Sequence, residues 1–404
     1  MKKILNILFL LIVLKDLFIF NDFIGMLSGL LMFFLFAHTI VNIKSRNLST
    51  KLKFRIILYI FFSITYLYTF SIIHVVNIND IFSFYRQMTI PFSLFVIFLS
   101  IDSSNKLPKL NFILIPFILI EFLLGCIQFF DIAPPYLTKE NHVIENIFCG
   151  TFMNNNFLGN IFSIIFLILF IEYKKKRYLF LSKKIFILIT TLSLIGVFMS
   201  GVRTSFIVLI IGVFLIHIFM STKKKLITIL LSFSIFIIPF LPLKKLTSYS
   251  SSIERIYSGI EDAINIKDLN ESNSTLTLSL RLYNLLNQET ILFGQGKLFK
   301  GGYGVVDSGE ATMEISLENH NQTDATLMII LIEFGIIGLI IFLIPTFLLF
   351  KFKGVEKTII SILFFLLILL TITDLGVFYT LNIFIILQYL KFNNQEKTKY
   401  ENNN

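Results

Sequence analysis

The sequence predicts an all-α polytopic membrane protein, and three observations carry that prediction. The 404 residues are 55% hydrophobic and only 15% charged, whereas a soluble globule carries about 25% charged residues. The apolar residues are gathered into blocks of bilayer-spanning length, near the roughly 20 residues that a transmembrane helix needs. The basic residues then fall in the short segments between those blocks, as cytoplasmic loops require.

Twelve apolar blocks can be placed, at 4–20, 23–43, 56–76, 89–101, 111–130, 157–173, 185–201, 204–220, 226–243, 326–350, 358–373 and 375–390. The first follows Met1-Lys2-Lys3 like a signal peptide. It lacks a small-x-small cleavage site and runs past Lys15-Asp16 to Phe20, so it reads as an uncleaved span. With the N-terminus cytoplasmic, 24 of the 35 Lys and Arg lie in inner segments, ten lie outside and Lys15 lies within the first span. The +10 net charge is thereby explained by topology, and no nucleic-acid partner is expected. The chain divides into spans one to nine (1–243), a large extracytoplasmic loop (244–325), spans ten to twelve (326–392) and a cytoplasmic tail (393–404). The 14 Tyr must supply the interface belts, since there is no Trp.

Two outer segments are long. In 131–156 stand Pro134-Pro135 and three consecutive Asn. In 244–325, Ile253, Ile256, Ile260 and Ile264 recur at helical spacing. Leu276, Leu278, Leu280 and Leu282 alternate like a strand, while Leu278, Leu282 and Leu285 suit a helix; helix through Thr290 is preferred, so the loop is expected to be mainly helical. Gly294-Gln295-Gly296, Gly301-Gly302 and Gly304 follow as a Gly-rich loop.

The large loop holds seven Lys and Arg against eleven Asp and Glu, so its isolated arginines are informative. Arg203, in Ser200-Gly201-Val202-Arg203-Thr204-Ser205, sits at an outer turn between two spans. An arginine at membrane depth faces a cavity or partner and suits phosphate; the other reading is a snorkelling side chain. Arg281 stands among leucines, and spacing alone favours an exposed helix residue.

The densest polar cluster, Glu318-Asn319-His320-Asn321-Gln322-Thr323-Asp324, runs straight into the apolar block from Thr326. Imidazole is the usual general base near neutral pH. Glu318, Asn319, Asn321 and Asp324 flank His320 in the sequence and could fix its tautomer or hold a sugar, although a surface histidine would look the same. Glu333 is an intramembrane carboxylate, a functional candidate by default, about two helical turns below that lip. Gly335 and Gly338 read as sites of close helix packing. Cys126 reads as a small buried hydrophobe and Cys149 as a loop thiol; neither has metal-ligand spacing. The sequence shows no metal cluster, Walker motif or GxSxG element, and no Asp-x-Asp pair for a metal-bound nucleotide sugar. No cofactor is expected.

Four segments in order across 150–338 resemble motifs of one family, the O-antigen ligase and O-antigen polymerase superfamily of bacterial envelope enzymes. Gly150-Thr151-Phe152-Met153-Asn154-Asn155-Asn156-Phe157-Leu158-Gly159 is similar to G-T-F-x-N-P-N-x-x-G, with Asn155 in place of Pro and with Asn154 and Asn156 at the motif asparagines. Ser200 to Ser205 is similar to S-x-S-R-[ST], with Val202 in place of a small polar residue. Arg281 with Leu292-Phe293-Gly294-Gln295-Gly296 resembles R-x-x-x-[WY] followed by hydrophobic-G-x-G. His320-Asn321 with Glu333-Phe334-Gly335-Ile336-Ile337-Gly338 resembles H-N-x-[YF]-L followed by E-x-G-I-I-G, with Gln322-Thr323 in place of the aromatic section.

The resemblance implies a metal-independent glycosyltransferase of the bacterial cytoplasmic membrane, both termini inside and its site outside. The implied donor is a glycan on undecaprenyl diphosphate, and the acceptor is a sugar or lipid-linked glycan. Arg203 and Arg281 would hold the diphosphate, and His320 would position or deprotonate the acceptor hydroxyl. A flippase and a chain-length regulator are the implied partners. Polymerase is preferred to ligase because the chain carries no added soluble domain. A polysaccharide-unit flippase, for which related halves and short outer loops are expected, and a non-catalytic assembly partner are the readings from other classes.

Overall fold

The computed structural model describes residues 7, 21–41, 49–76, 92–100, 110–130, 132, 148–152, 155–176, 182–220, 292–294, 296, 306–307, 312–313, 326–351, 356–373 and 382–391. Over these the chain is almost wholly helical. Helices run over Asn21–Val41 (α1), Thr50–His74 (α2), 92–100 (α3), Leu110–Phe129 (α4), Asn155–Lys174 (α5), Lys183–Ser200 (α6), Arg203–Met220 (α7), Thr326–Phe347 (α8), Lys357–Thr373 (α9) and 382–391 (α10). Among the described residues, α2 and α6 are long and apolar enough to cross a membrane; Leu114–Phe129, Ser205–Met220 and Phe334–Ile344 are shorter apolar stretches. The spans expected at 4–20 and 226–243 lie outside the described residues except for residue 7.

The ends of the helices follow their local chemistry. Ser49 accepts the Leu52 amide at 3.3 Å at the start of α2, and Ser182 accepts the Ile185 amide at 3.3 Å at the start of α6, satisfying donors that a first turn leaves open. Gly201 ends α6 at φ 66°, a left-handed conformation that glycine adopts without penalty, and α7 starts two residues later at Arg203.

Packing is led by α5, which lies against both α6 and α7; α7 then packs on α9, α9 on α8, and α8 on α2. Small residues set these approaches, as in helix pairs that pack without a hydrophobic driving force. A β-carbon on Gly196 of α6 would stand 2.8 Å from the Phe162 ring of α5, and one on Gly212 of α7 would stand 2.5 Å from Leu167. α10 is held through Tyr389, whose hydroxyl donates to Glu172 of α5 at 2.9 Å, and through an edge-to-face contact of Phe384 with Phe98 of α3 at 5.5 Å.

One stripe of α2, Tyr59, Ser63, Tyr66, Phe70 and His74, is buried. The rest of its surface is also apolar: Phe54, Phe61, Ile64 and Tyr68 are each at least 60% exposed. A helix that is apolar all round belongs in a large core or a bilayer. On the buried stripe, Tyr59 donates to the Ile341 carbonyl at 3.0 Å, and Tyr66 donates to the Phe334 carbonyl. Tyr66→Phe is expected to lower stability by about 1 kcal/mol, read as a lower thermal midpoint of the purified protein in detergent.

Two sequence expectations are refined. The apolar run from Thr326 is not one uninterrupted helix: Gly335 has φ 65° and ψ −169° inside α8. Gly338 does serve close packing, since its β-carbon would lie 3.0 Å from the Tyr66 hydroxyl, but Gly335 admits a loop, not a helix. The large loop also contains an antiparallel pair, Val306–Asp307 with Thr312–Met313. Four residues including Gly309 separate its strands in the sequence. The helix expected through 253–290 lies outside the described residues.

Candidate functional site

The motif segments come together in two local assemblies. In the first, the turn Phe148-Cys149-Gly150-Thr151 lies on one face of α4, the face of Glu121, Gly125 and Gln128 at helical spacing. Phe148 packs on Gly125, where a β-carbon would be 2.4 Å from its ring. Gln128 holds the backbone at three points: its Oε1 accepts from the amides of Cys149 (3.2 Å) and Gly150 (2.6 Å), and its Nε2 donates to the Gly150 carbonyl at 2.9 Å. The buried carboxyl of Glu121 accepts from the Thr151 amide at 2.8 Å and from the Thr151 hydroxyl at 2.5 Å. Gly150 has φ 60°, and a β-carbon there would stand 2.2 Å from Glu121 Oε2, so both conformation and space require glycine.

This turn continues as a short 3-10 segment, Gly150–Phe152, and α5 begins at Asn155. One turn into α5, Gly159 touches both Ser200 and Ser205; a β-carbon there would be 2.5 and 2.7 Å from their hydroxyls. Ser205 donates to Asn160 Oδ1 at 2.7 Å, and Ser163 lies 2.9 Å from the Ser205 carbonyl and donates to it. The first motif segment thus packs on the second at Gly159, the bonds of Asn160 and Ser163 just beyond it secure the contact, and the residues gripped flank Arg203.

In the second assembly the third segment rests on the fourth. The Ile337 amide donates to the Leu292 carbonyl at 3.3 Å, beside the break at Gly335. A β-carbon on Gly335 would lie 2.4 Å from that carbonyl oxygen and 2.6 Å from the Gly294 amide nitrogen. Phe293 stacks on Tyr66 at 6.1 Å. His74 Nε2 donates to the Phe293 carbonyl at 3.3 Å, since a carbonyl only accepts, and Gly296 lies against the His74 ring.

Of the residues singled out from the sequence, Arg203 is the first residue of α7, Asn156 lies in the first turn of α5, and Glu333 lies in α8 two residues before its break. Asn154, Arg281, Glu318, His320, Asn321 and Asp324 lie outside the described residues. Sequence reasoning passed over Glu121, Gln128 and Asn160 and gave His74 no role. Glu121 carried the same signal as Glu333, a carboxylate within an apolar block. Cys149 is buried, Cys126 half-buried, and neither is in a disulfide. Among the described residues no group of three His, Cys, Asp or Glu is placed to hold a metal ion. No protein-family model, curated protein or solved structure matches the chain.

Proposed function

We propose that the chain is a twelve-span glycosyltransferase of the O-antigen polymerase type in the bacterial cytoplasmic membrane. It would join glycan units carried on undecaprenyl diphosphate at the outer face. The observation that supports this reading is the pairing of the motif segments: Gly159, at the end of the first segment, packs on Ser200 and Ser205 of the segment bearing Arg203, with Asn160 and Ser163 just beyond it bonded to Ser205, and Phe293-Gly294 is seated on the segment bearing Glu333. Within each pair, segments far apart in sequence that share the resemblance also pack on one another.

In this mechanism Arg203 and Arg281 bind the diphosphate and compensate the charge that grows on it as the bond from the donor sugar to phosphate breaks. A diphosphate is a good leaving group, so two guanidinium groups suffice for the charge. His320 takes the acceptor hydroxyl proton as that oxygen bonds to the sugar carbon. Glu318, Asn321 and Asp324 orient His320 or the acceptor, and Asn154, Asn156 and Glu333 support the rim of the site. In the ligase alternative the same chemistry moves a finished chain to lipid A-core.

A second reading, a lipid-linked unit transporter, draws on the broken helix at Gly335, because discontinuous helices often line transport sites. The test is a deletion strain complemented with wild type, Arg203→Ala, Arg281→Ala or His320→Ala, with surface polysaccharide resolved on gels. Each variant is expected to lose polymer by roughly 100-fold or more at wild-type abundance. Single repeats at the surface identify a polymerase, long chains held on the carrier a ligase, and units trapped on the cytoplasmic leaflet a transporter. Normal ladders from all three variants would remove the assigned site.

A further inference from the structure

We propose that Glu121 is a positioning residue of the outer-face site: its carboxyl pins Thr151, and with it the turn that leads into Asn154, Asn156 and α5. The inference rests on the transferase reading for the site that it serves, but the clamp itself rests on geometry alone. Glu121 is fully buried in an apolar helix, where a carboxyl is costly unless its oxygens are satisfied. Both oxygens are engaged by a single residue, Oε2 by the Thr151 amide and Oε1 by the Thr151 hydroxyl. Gly150 leaves the space in which Oε2 sits.

The clamp lies at the start of a short mechanical path. Thr151 belongs to the 3-10 turn, the turn feeds α5, and Gly159 and Asn160 of α5 grip Ser200 and Ser205 on either side of Arg203. Hydrophobic residues would hold α4 to its neighbours equally well. What a carboxyl adds is a fixed direction for the Thr151 backbone and hydroxyl. Phe148 on Gly125 and the bonds of Gln128 hold the other end of the turn, leaving Thr151 as the point where it is fixed on the side that leads to α5.

Cys149 is a native reporter, because it is a buried residue of this turn. The experiment uses the full chain carrying Cys126→Ala, purified in detergent, with Thr151→Val, Thr151→Ser, Glu121→Gln or Glu121→Leu. Maleimide labelling of Cys149 is expected to rise about tenfold for Thr151→Val, which deletes one bond to a carboxyl, and further for Glu121→Leu. Thr151→Ser, which keeps the hydroxyl, and Glu121→Gln, which keeps an acceptor for the amide, are expected to label more like wild type. Assayed with lipid-linked donor, Thr151→Val is expected to raise donor KM about tenfold with kcat little changed, and Thr151→Ser to restore it.

Unchanged labelling in both Thr151→Val and Glu121→Leu overturns the clamp. Raised labelling with wild-type KM overturns the positioning role. If Arg203→Ala, Arg281→Ala and His320→Ala all keep normal polymer, the assigned site falls instead, and labelling alone then judges the clamp.

Discussion

Gly335→Ala is expected to destabilise the protein by about 3 kcal/mol or more, combining a backbone penalty of about 1–3 kcal/mol with an overpacking penalty of about 1–3 kcal/mol. The conformation at this position, φ 65° with ψ −169°, belongs to a region that essentially only glycine occupies. A β-carbon would also stand 2.4 Å from the Leu292 carbonyl oxygen and 2.5 Å from its carbon. Those atoms are backbone, and they cannot swing aside as a side chain would. Relief requires Leu292-Phe293-Gly294 to leave α8, which breaks the Ile337-to-Leu292 hydrogen bond, the Phe293–Tyr66 stack and the His74 bond to Phe293 together. Gly338→Ala is the control. It sits three residues on in the same helix; a β-carbon there would also be crowded, 2.2 Å from Phe334 Cβ, but Gly338 lacks the positive φ and so carries no backbone penalty. Thermal midpoints in detergent are expected to fall further for Gly335→Ala than for Gly338→Ala. A wild-type midpoint for Gly335→Ala would mean that the break in α8 is not required for folding.

The break shows where the sequence stopped being legible. Hydropathy marks 326–350 as one apolar run because it sums side chains and is blind to a φ value. What breaks the helix is a loop from another part of the chain arriving at its backbone, and nothing within the run records that arrival. The opposite holds for the edges of the helices. The block read as 56–76 is helical from Thr50 because Lys51, Lys53 and Arg55 end an apolar count without ending a helix; their stems can lie along the helix while their charges reach water. The block at 111–130 and the helix Leu110–Phe129 agree almost residue for residue; in the sequence the apolar run lies between Lys109 and Asp131.

The candidate site was legible as a set of segments but not as a set of contacts. That Gly150, Ser200, Gly294 and Gly335 mattered came from their motifs. That Gly159 meets Ser200 and Ser205, or that Gly294 meets Gly335, depends on helix packing that local spacing does not encode. Glu121 is the sharpest case. A carboxylate inside an apolar block was visible, but its partner Thr151 is 30 residues away in the chain.

Gln128→Leu is expected to cost about 3 kcal/mol, because it orphans buried backbone groups rather than merely removing a side chain. The amides of Cys149 and Gly150 lose their acceptor and the Gly150 carbonyl loses its donor. A buried polar group left unsatisfied costs about 1–3 kcal/mol, and leucine fills nearly the same volume, so the loss is polar and not a cavity. Gln128→Glu separates the two halves of the interaction. It keeps an oxygen for both amides but sets a second oxygen against the Gly150 carbonyl at the position of a 2.9 Å hydrogen bond. If the amides dominate, Gln128→Glu is the milder change; if the carbonyl contact dominates, the two variants fall together. Because Phe148 on Gly125 remains in both, the turn stays near α4 while its backbone loosens. The loss should therefore appear in Cys149 reactivity at temperatures well below the unfolding midpoint. A Gln128→Leu protein with wild-type midpoint and an unreactive Cys149 would show that the turn is held by Phe148 and Glu121 without the amide side chain.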